Sequence, residues 1–216
     1  MAIVNVTPDS FSGDGLARDV GASLARAEAA VRDGAELLDI GGESSRPGAE
    51  PVSEQEELDR VMPLVERLSD WPVPVSVDTV KPAVMRAVLV AGASLINDIN
   101  AFRAPGAIEA VADSDAALCV MHMRGEPRTM QRDPVYADVL GEVAGFLDER
   151  TAALRAAGVS DARIVLDPGF GFGKTLEHNL ALLREIGRFG NGRHGVLVGL
   201  SRKRMLGAIT GRAVDE

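Results

Sequence analysis

The chain has 216 residues, 46% of them hydrophobic and 25% charged, a composition that excludes global disorder and low complexity. A formal charge of −9 disfavours a general nucleic-acid surface. No apolar run reaches the roughly 18 residues of a membrane span, and the single cysteine, Cys119, cannot form an internal disulfide. We therefore expect a cytoplasmic enzyme or binding protein without nucleic-acid or membrane partners.

Short apolar runs alternate with helical patterns along the whole chain. Most of the runs are continuous, as in strands buried on both faces of a parallel sheet. The predicted strands are Ala2–Val6, Leu37–Ile40, Val73–Val77, Ser94–Ile96, Ala117–Met121, Arg163–Leu166 and Gly195–Leu200. The predicted helices are Val20–Asp33, Glu54–Leu68, Pro82–Val90, Pro105–Ala112, Val135–Ala157 and Leu176–Ile186. This order predicts an α/β fold with a parallel sheet, either doubly wound or a barrel.

Polar residues follow nearly every predicted strand and favour the barrel. A doubly wound sheet concentrates its ligand residues near one switch point, whereas a TIM (β/α)8 barrel draws them from many strands onto one face. We therefore predict a TIM barrel that forms a single domain over residues 1–216. Seven strands do not close such a barrel, so we expect the eighth strand and terminal segments to be absent from this chain.

Two segments have the composition of anion sites. In Asp39-Ile-Gly-Gly-Glu-Ser-Ser-Arg-Pro-Gly48, paired glycines expose backbone N–H groups and Arg46 can fork onto phosphate oxygens. Gly199-Leu-Ser-Arg-Lys-Arg204 places cations at a helix start, where the helix dipole disfavours them. A solvated loop and a basic helix start are the structural alternatives.

Other strand ends carry acidic and amide side chains. Asp78 and Asn97 end neighbouring strands, and buried polar groups of this kind are costly unless paired. Asp78 could instead cap the following helix, and Asp98 could satisfy loop amides. The segment Asp167-Pro-Gly-Phe-Gly-Phe-Gly-Lys-Thr175 matches neither a P-loop nor a dinucleotide fingerprint. Its glycines would let a flat ligand lie against bare backbone, covered by one of its two phenylalanines.

The histidines and Ser201 lack the patterns of a histidine–cysteine metal site and of a hydrolytic site. None of the histidines has metal-ligand spacing with another or with Cys119. His122 is expected to be a hydrogen-bonding wall of a pocket, and His178 and His194 are expected on the surface. Ser201 has no adjacent His or Asp pattern, which disfavours nucleophilic hydrolysis.

Over essentially its whole length the chain resembles the dihydropteroate synthase family, through the strings Asn5–Ser12, Gly42–Gly48, Asp167–Lys174 and Ser201–Lys203. The resemblance implies a folate-pathway transferase and sulfonamide target. Such an enzyme joins 6-hydroxymethyl-7,8-dihydropterin diphosphate to 4-aminobenzoate, uses Mg²⁺ and is usually a homodimer. The family mechanism resembles an SN1 displacement in which pocket carboxylates stabilise a pterin cation.

The resemblance also implies roles for individual residues. The catalytic residues it implies are Asp78, Asp167, Lys203 and Arg46. The pterin contacts it implies are Asp78, Asn97, Met121, Asp167, Gly171, Phe172, Gly199 and Lys203. The diphosphate and aminobenzoate contacts it implies are Asn5, Phe11, Ser45, Arg46, Pro47 and Ser201, with Asn5 also the metal ligand. One carboxylate, at Asp167, can accept both donors of the pterin's amidine-like edge.

The chain departs from the family pattern in three places. Ser45 stands where the family usually has Thr. Gly13-Asp14-Gly15 stands where the family has Asp-Gly-Gly, in a segment, Asn5–Gly15, that we expect to be a mobile lid. The family's eighth strand carries an Arg-x-His diphosphate motif that does not occur before Glu216, so we interpret the chain as part of a longer protein.

Two other functions stay open at this point. A corrinoid-type pterin-dependent methyltransferase barrel would share the Asp and Asn contacts, but it has less use for the two anion segments. A non-catalytic pterin-binding paralogue is favoured only by the altered Gly13-Asp14-Gly15 loop. Release of diphosphate in the presence of both substrates would separate that paralogue from the enzyme.

Overall fold

The structure is a computed structural model of the chain, and it describes residues 1–6, 20–44, 50–126, 129–131, 133–201 and 203–212. Within these ranges strands and helices alternate. The strands are β1 (Ala2–Asn5), β2 (Leu38–Gly41), β3 (Val75–Asp78), β4 (Leu95–Asp98), β5 (Ala117–Met121), β6 (Ile164–Asp167) and β7 (Gly195–Val196). The helices are α1 (Val20–Arg32), α2 (Glu54–Leu68), α3 (Pro82–Val90), α4 (Ala107–Val111), α5 (Val139–Ala156), α6 (Leu176–Arg184) and α7 (Arg204–Thr210).

Neighbouring strands in the sheet are also neighbours in the sequence, in the order β1 to β7. The pairs β1–β2, β2–β3, β3–β4 and β6–β7 are parallel. A doubly wound sheet reverses its order at a switch point, so sequential order is that of the predicted α/β TIM-barrel class. The eighth strand of that class is not among the residues that the structure describes.

The described residues form two compact units. The first contains those up to residue 98 together with residues 102–118. In this unit the sequence explains where α2 begins. The Ser53 side chain accepts a hydrogen bond from the Glu56 N–H (3.2 Å) and caps the helix. Ser53 and Glu56 have the spacing that predicts a capping box, but the box is half formed, since the Glu56 carboxylate pairs with Arg60 instead. The buried stripe of α2 at helical spacing is Val61, Leu64, Val65 and Leu68.

The second unit contains residues 99–101 and the described residues from 119 onward. Its core includes a methionine cluster formed by Met121, Met123 and Met130, with Ile99 and Phe172 packed against it. Flexible thioether side chains fill irregular gaps of this kind well. The methionine cluster therefore packs against Phe172, which lies in the glycine-rich loop after β6.

Several predicted boundaries differ from the observed ones by one or two residues, and two were wrong by four. Helix α5 begins at Val139 rather than Val135, because the Glu142 carboxylate accepts hydrogen bonds from the N–H groups of Ala137 (2.8 Å) and Asp138 (3.1 Å) and fixes the start of the helix. Strand β7 covers only Gly195–Val196 of the predicted Gly195–Leu200. Glycines just past the ends of three predicted helices predict left-handed backbone there, and this is confirmed, with φ of 97° at Gly34, 102° at Gly92 and 91° at Gly158.

Candidate active site

In the first unit, strand register aligns three of the predicted site residues. Asn5 pairs with Gly41, Gly41 with Asp78, and Asp78 with Asn97. Residues in direct register across parallel strands point to the same face of the sheet. A Cβ added at Gly41 would lie 2.8 Å from Asn5 Oδ1, so a side chain there would displace the Asn5 amide from its present position. We call the aligned residues Asn5, Asp78 and Asn97 the polar row.

Asp39 lies two residues before Gly41 on β2 and supports the polar row from there. Its Oδ1 accepts a hydrogen bond from Ser76 Oγ (2.5 Å), and its Oδ2 lies 3.5 Å from Asn97 Nδ2. Burial raises the pKa of Asp39, while the bonds from Ser76 and Asn97 act in the opposite direction. Because a carboxylate only accepts, the Asn97 amide nitrogen, and not its oxygen, faces Asp39. Asp39 begins a predicted anion segment, but its support of Asn97 depends on strand register and could not be predicted from the sequence.

Negative charge accumulates around Asp78. Burial raises the pKa of Asp78 well above its usual range, and nearby carboxylates raise it further; these are Asp39, Asp98, Glu57 and Glu43. Carboxylates held this close favour a ligand that brings positive charge or hydrogen-bond donors. Asp78 does not cap α3, whose N-cap position is Lys81. Asp98 does satisfy a loop amide, because its Oδ2 accepts from the Phe102 N–H (2.7 Å).

The base of the loop after β2 is held by two cations. Lys81 Nζ pairs with the carboxylates of Glu43 and Glu57, and Arg60 Nη1 donates to the Gly42 carbonyl oxygen (2.8 Å). Glu57 is buried, and its Oε1 has no hydrogen-bond partner among the described residues. Helices α2 and α3 thus fix Gly42 and Glu43, directly before the predicted anion-binding residues.

Several predicted site residues lie outside the described residues. They are Phe11, Ser45, Arg46 and Pro47, together with Asp14 and most of the predicted lid. Their assignments rest on sequence alone. Ser201 lies within the described ranges and is exposed, and Gly199 has no atom within 4 Å of an added Cβ.

In the second unit, Asp167 ends β6 as a buried carboxylate. Its Oδ1 accepts a hydrogen bond from the Gly169 N–H (2.7 Å). Burial raises the pKa of Asp167 to about 6, opposed by this hydrogen bond and by the charges of Lys174 and Lys203. The carboxyl therefore changes charge close to neutral pH, as is common among groups that bind or react.

The glycine-rich loop after Asp167 brings three predicted pterin contacts together. Lys203 Nζ lies 4.2 Å from the ring centroid of Phe172, in a cation–π contact. A Cβ added at Gly171 would lie 3.1 Å from Lys203 Cδ, and the left-handed φ of 78° there favours glycine beside this lysine. Phe170 is fully buried, which leaves Phe172, in contact with the methionine cluster, as the phenylalanine able to cover a flat ligand.

Lys174 is a residue that the sequence analysis missed. Its side chain is buried, and Nζ lies 2.9 Å from His122 Nδ1. Nζ also donates to the carbonyl oxygens of His122 (3.2 Å), Gly169 (2.8 Å) and Phe172 (3.0 Å). Burial lowers the pKa of Lys174 to about 7, Lys203 adds to that decrease, and Asp167 opposes it. The expected role of His122 as a hydrogen-bonding wall is consistent with this contact.

The other two histidines are not simple surface residues. His178 Nδ1 accepts from the Thr175 N–H (3.2 Å), while the Thr175 hydroxyl accepts from the His178 N–H (3.2 Å), so the pair caps α6. The side chain of His194 is only 7% exposed, and its Nδ1 lies 3.1 Å from the Asp161 carbonyl oxygen. The surface prediction was therefore wrong for His194.

A cleft of about 520 Å³ in the second unit lies elsewhere. Its charged and imidazole side chains are Asp148, Arg155, Arg188, Arg193 and His194. Because none of the predicted site residues lines this cleft, we do not assign the predicted chemistry to it.

The metal prediction rests on Asn5. Within the described ranges no group of three or more His, Cys, Asp or Glu side chains could hold a metal ion. Mg²⁺ often takes only one or two protein oxygens and completes its shell with water and substrate phosphates. The amide oxygen of Asn5 in the polar row fits that kind of ligand set.

No helix in the described part of the chain is long and apolar enough to span a membrane.

Comparisons with known proteins agree on one family. Residues 1–216 match the family described as pterin binding enzyme. The dihydropteroate synthase of Neisseria meningitidis serogroup C is 46% identical over 215 residues, which are 98% of this chain and 76% of that protein. The dihydropteroate synthase of Escherichia coli strain K12 is 46% identical over 210 residues, covering 97% and 74%.

Solved structures give the same result. Yersinia pestis dihydropteroate synthase with a sulfonamide drug superposes with a TM-score of 0.94 at 46% identity, covering 100% of this chain and 78% of that chain. Burkholderia cenocepacia dihydropteroate synthase complexed with 7,8-dihydropteroate superposes with a TM-score of 0.88 at 53% identity, covering 100% and 76%.

Proposed function

Because the chain belongs to the pterin-binding enzyme family, among its dihydropteroate synthases, we propose that it joins 6-hydroxymethyl-7,8-dihydropterin diphosphate to 4-aminobenzoate. The products are 7,8-dihydropteroate and diphosphate, and the enzyme is a transferase of folate biosynthesis. The single observation that carries the site assignment is Asp167, a buried carboxylate that ends β6 beside bare glycine backbone and a cation–π pair.

For the pterin, we assign Asp167 to the edge that carries N3–H and the 2-amino group. An ionised carboxylate accepts both of these donors in a bidentate pair. Lys203 donates to acceptor atoms of the ring, and Phe172 lies on the ring face. The family pattern also implies that Asn97, whose amide nitrogen faces Asp39, contacts the pterin. Met121, Gly171 and Gly199 line the pterin site, as the family pattern implies.

For the diphosphate and the aminobenzoate, the assignments rest mainly on the family pattern. Asn5 and Arg46 bind diphosphate oxygens, and Phe11, Ser45, Pro47 and Ser201 contact 4-aminobenzoate. The residues present fit a Mg²⁺ ion held by the Asn5 amide oxygen, which would offset negative charge on the diphosphate. Support for Arg46 comes from the anchored base of its loop, where Lys81 and Arg60 fix Glu43 and Gly42.

The described carboxylates suit a dissociative displacement. The C–O bond to diphosphate breaks with its electron pair remaining on oxygen, which leaves a cation delocalised over the pterin. Asp78, which is buried close to the carboxylates of Asp39 and Asp98, stabilises that cation as it forms. The lone pair of the neutral arylamine then forms the C–N bond, and the amine proton leaves to solvent. No strong base is needed, consistent with the lack of a Ser/His/Asp pattern in the sequence.

The test is release of diphosphate by the full chain. Release should require both the pterin diphosphate and 4-aminobenzoate, and 7,8-dihydropteroate should form in equal amount. Release without the arylamine would indicate simple hydrolysis. Pterin binding without any product would favour the non-catalytic paralogue, and transfer of a methyl group from a methylated pterin would favour the corrinoid-type alternative.

The proposal also covers the domain organisation, the assembly and the location of the protein. A single domain over residues 1–216 is supported by the family match across that range. A homodimer is supported by the exposed apolar side chains Leu206 and Ile209 on α7, and sedimentation of the full chain tests it. A cytoplasmic location is supported by the buried free thiol of Cys119, because reducing compartments keep such thiols unpaired.

A further inference from the structure

Lys174 joins the glycine-rich loop to the end of β5. Its Nζ contacts the carbonyl oxygens of Gly169 and Phe172 within the loop, and both Nδ1 and the carbonyl oxygen of His122 outside it. An ammonium group has three N–H donors, so the four acceptors around Nζ saturate it. While Lys174 is protonated, His122 must accept at Nδ1. The glycine-rich loop also lies very close to the end of β5, since a Cβ added at Gly169 would overlap the His122 carbonyl oxygen.

A buried ammonium is costly to maintain unless its charge is offset. Three of the four acceptors of Lys174 are neutral backbone carbonyls, which satisfy its hydrogen bonds but not its charge. The negative group that acts on it is Asp167, whose charge favours protonated Lys174. Reciprocally, of the two lysines that act on Asp167, Lys174 has the larger effect and Lys203 the smaller.

Resting on the proposed function, we propose that Lys174 is a positioning residue for pterin recognition: it holds the glycine-rich loop in place and supplies the buried positive charge that keeps Asp167 ionised. An ionised Asp167 presents two acceptors to the two donors of the pterin edge. A protonated Asp167 would turn an O–H toward one of those donors. Lys174 therefore acts on the substrate through Asp167 and does not touch the substrate itself.

The groups that face Asp167 and Lys174 limit the alternative explanations. Among the described residues they are Lys203, which precedes α7, and His122, which follows β5. Lys203 is assigned to the pterin itself, so it is unsuitable for a test of positioning. Tyr136 is suitable as a control, because its hydroxyl donates one neutral hydrogen bond to the same loop, at the Gly173 carbonyl oxygen (2.8 Å).

The experiment follows the Asp167 carboxyl carbon by NMR as pH is varied in the ligand-free full chain. We expect the Asp167 carboxyl signal of the parent protein to titrate with a midpoint at about pH 6. Lys174→Met should raise the midpoint by roughly one pH unit or more, since a neighbouring cation lowers a carboxyl pKa by roughly 1–3 units. Lys174→Arg keeps the charge, and Tyr136→Phe removes the hydrogen bond to the loop without removing a charge, so both should leave the midpoint in place.

Binding of 6-hydroxymethylpterin, measured by calorimetry across the same pH range, connects this titration to recognition. This probe lacks the diphosphate and reports only on the ring contacts. Its affinity should fall on the acid side at the Asp167 midpoint of each variant. If the parent protein does not bind the probe, the proposed function fails. If the parent binds it but Lys174→Met leaves the midpoint unchanged, or Tyr136→Phe shifts it equally, the inference about Lys174 is overturned.

A measurement on the parent protein alone keeps the inference testable if Lys174→Met does not fold. Strongly coupled groups titrate together, so each signal reports the other's ionisation. The Lys174 side-chain nitrogen should titrate about 7, and the Asp167 carboxyl signal should show a second inflection at the same pH. A Lys174 midpoint in the ordinary range of an exposed lysine, or an Asp167 signal without the second inflection, would overturn the inference.

Discussion

At the scale of single residues, Asp167 combines burial, a hydrogen bond from the Gly169 N–H and the charges of two lysines. Asp167→Asn should weaken binding of the pterin diphosphate by about 2–5 kcal/mol, because the amide turns a donor toward a donor edge. Calorimetry on the full chain measures this loss. Asp148→Asn, an exposed carboxylate on α5, is the matched control and should bind as the parent does. Unchanged affinity in Asp167→Asn would contradict the assignment.

The same carboxyl predicts how stability depends on pH. Burial raises the folded-state pKa of Asp167 to about 6, above its model-peptide value of 3.8. The folded state therefore binds this proton more tightly than the unfolded state, and the stability that it provides is lost as pH rises from about 4 to about 6. The free energy of unfolding of Asp167→Asn, from urea titrations, should decline less over this interval than that of the parent. An identical pH dependence in both proteins would exclude a raised pKa.

At the scale of elements, Lys81 joins α3 to α2 and to the base of the loop after β2. Lys81→Met would leave the buried Glu57 carboxylate without its cation, and should lower the free energy of unfolding by about 1–3 kcal/mol. Adding Glu57→Gln to that variant should recover part of the loss, since the uncompensated charge is then removed. Urea titrations measure both variants. A double variant less stable than Lys81→Met would show that Glu57 needs no cation.

Helix α6 gives a second prediction at this scale. A surface position for His178, as expected from the sequence, would make His178→Ala close to neutral. The reciprocal cap with Thr175 changes that expectation. His178→Ala and Thr175→Ala should each lower the free energy of unfolding by about 0.5–2 kcal/mol, and together by less than the sum. Fully additive losses in thermal unfolding would show that the two side chains do not act as one cap.

At the scale of the whole molecule, the strand–helix alternation and sequential strand order could be predicted because continuous apolar runs and left-handed glycines are local signals. The start of α5 could not, since it depends on where the Glu142 side chain folds back. The predicted site residues came from strand ends and family strings. Asp39 and Lys174 were missed because their roles arise from register and from a buried contact with His122, which no spacing in the sequence encodes.

The central claim is that the pterin binds at Asp167 and the glycine-rich loop. A crystal structure of the full chain with 6-hydroxymethylpterin tests it most directly. The account predicts both carboxylate oxygens of Asp167 within hydrogen-bond distance of the pterin N3 and 2-amino nitrogens, with Phe172 and Lys203 beside the ring. A pterin seated instead in the cleft lined by Arg155 and Arg193, with Asp167 uncontacted, would contradict it.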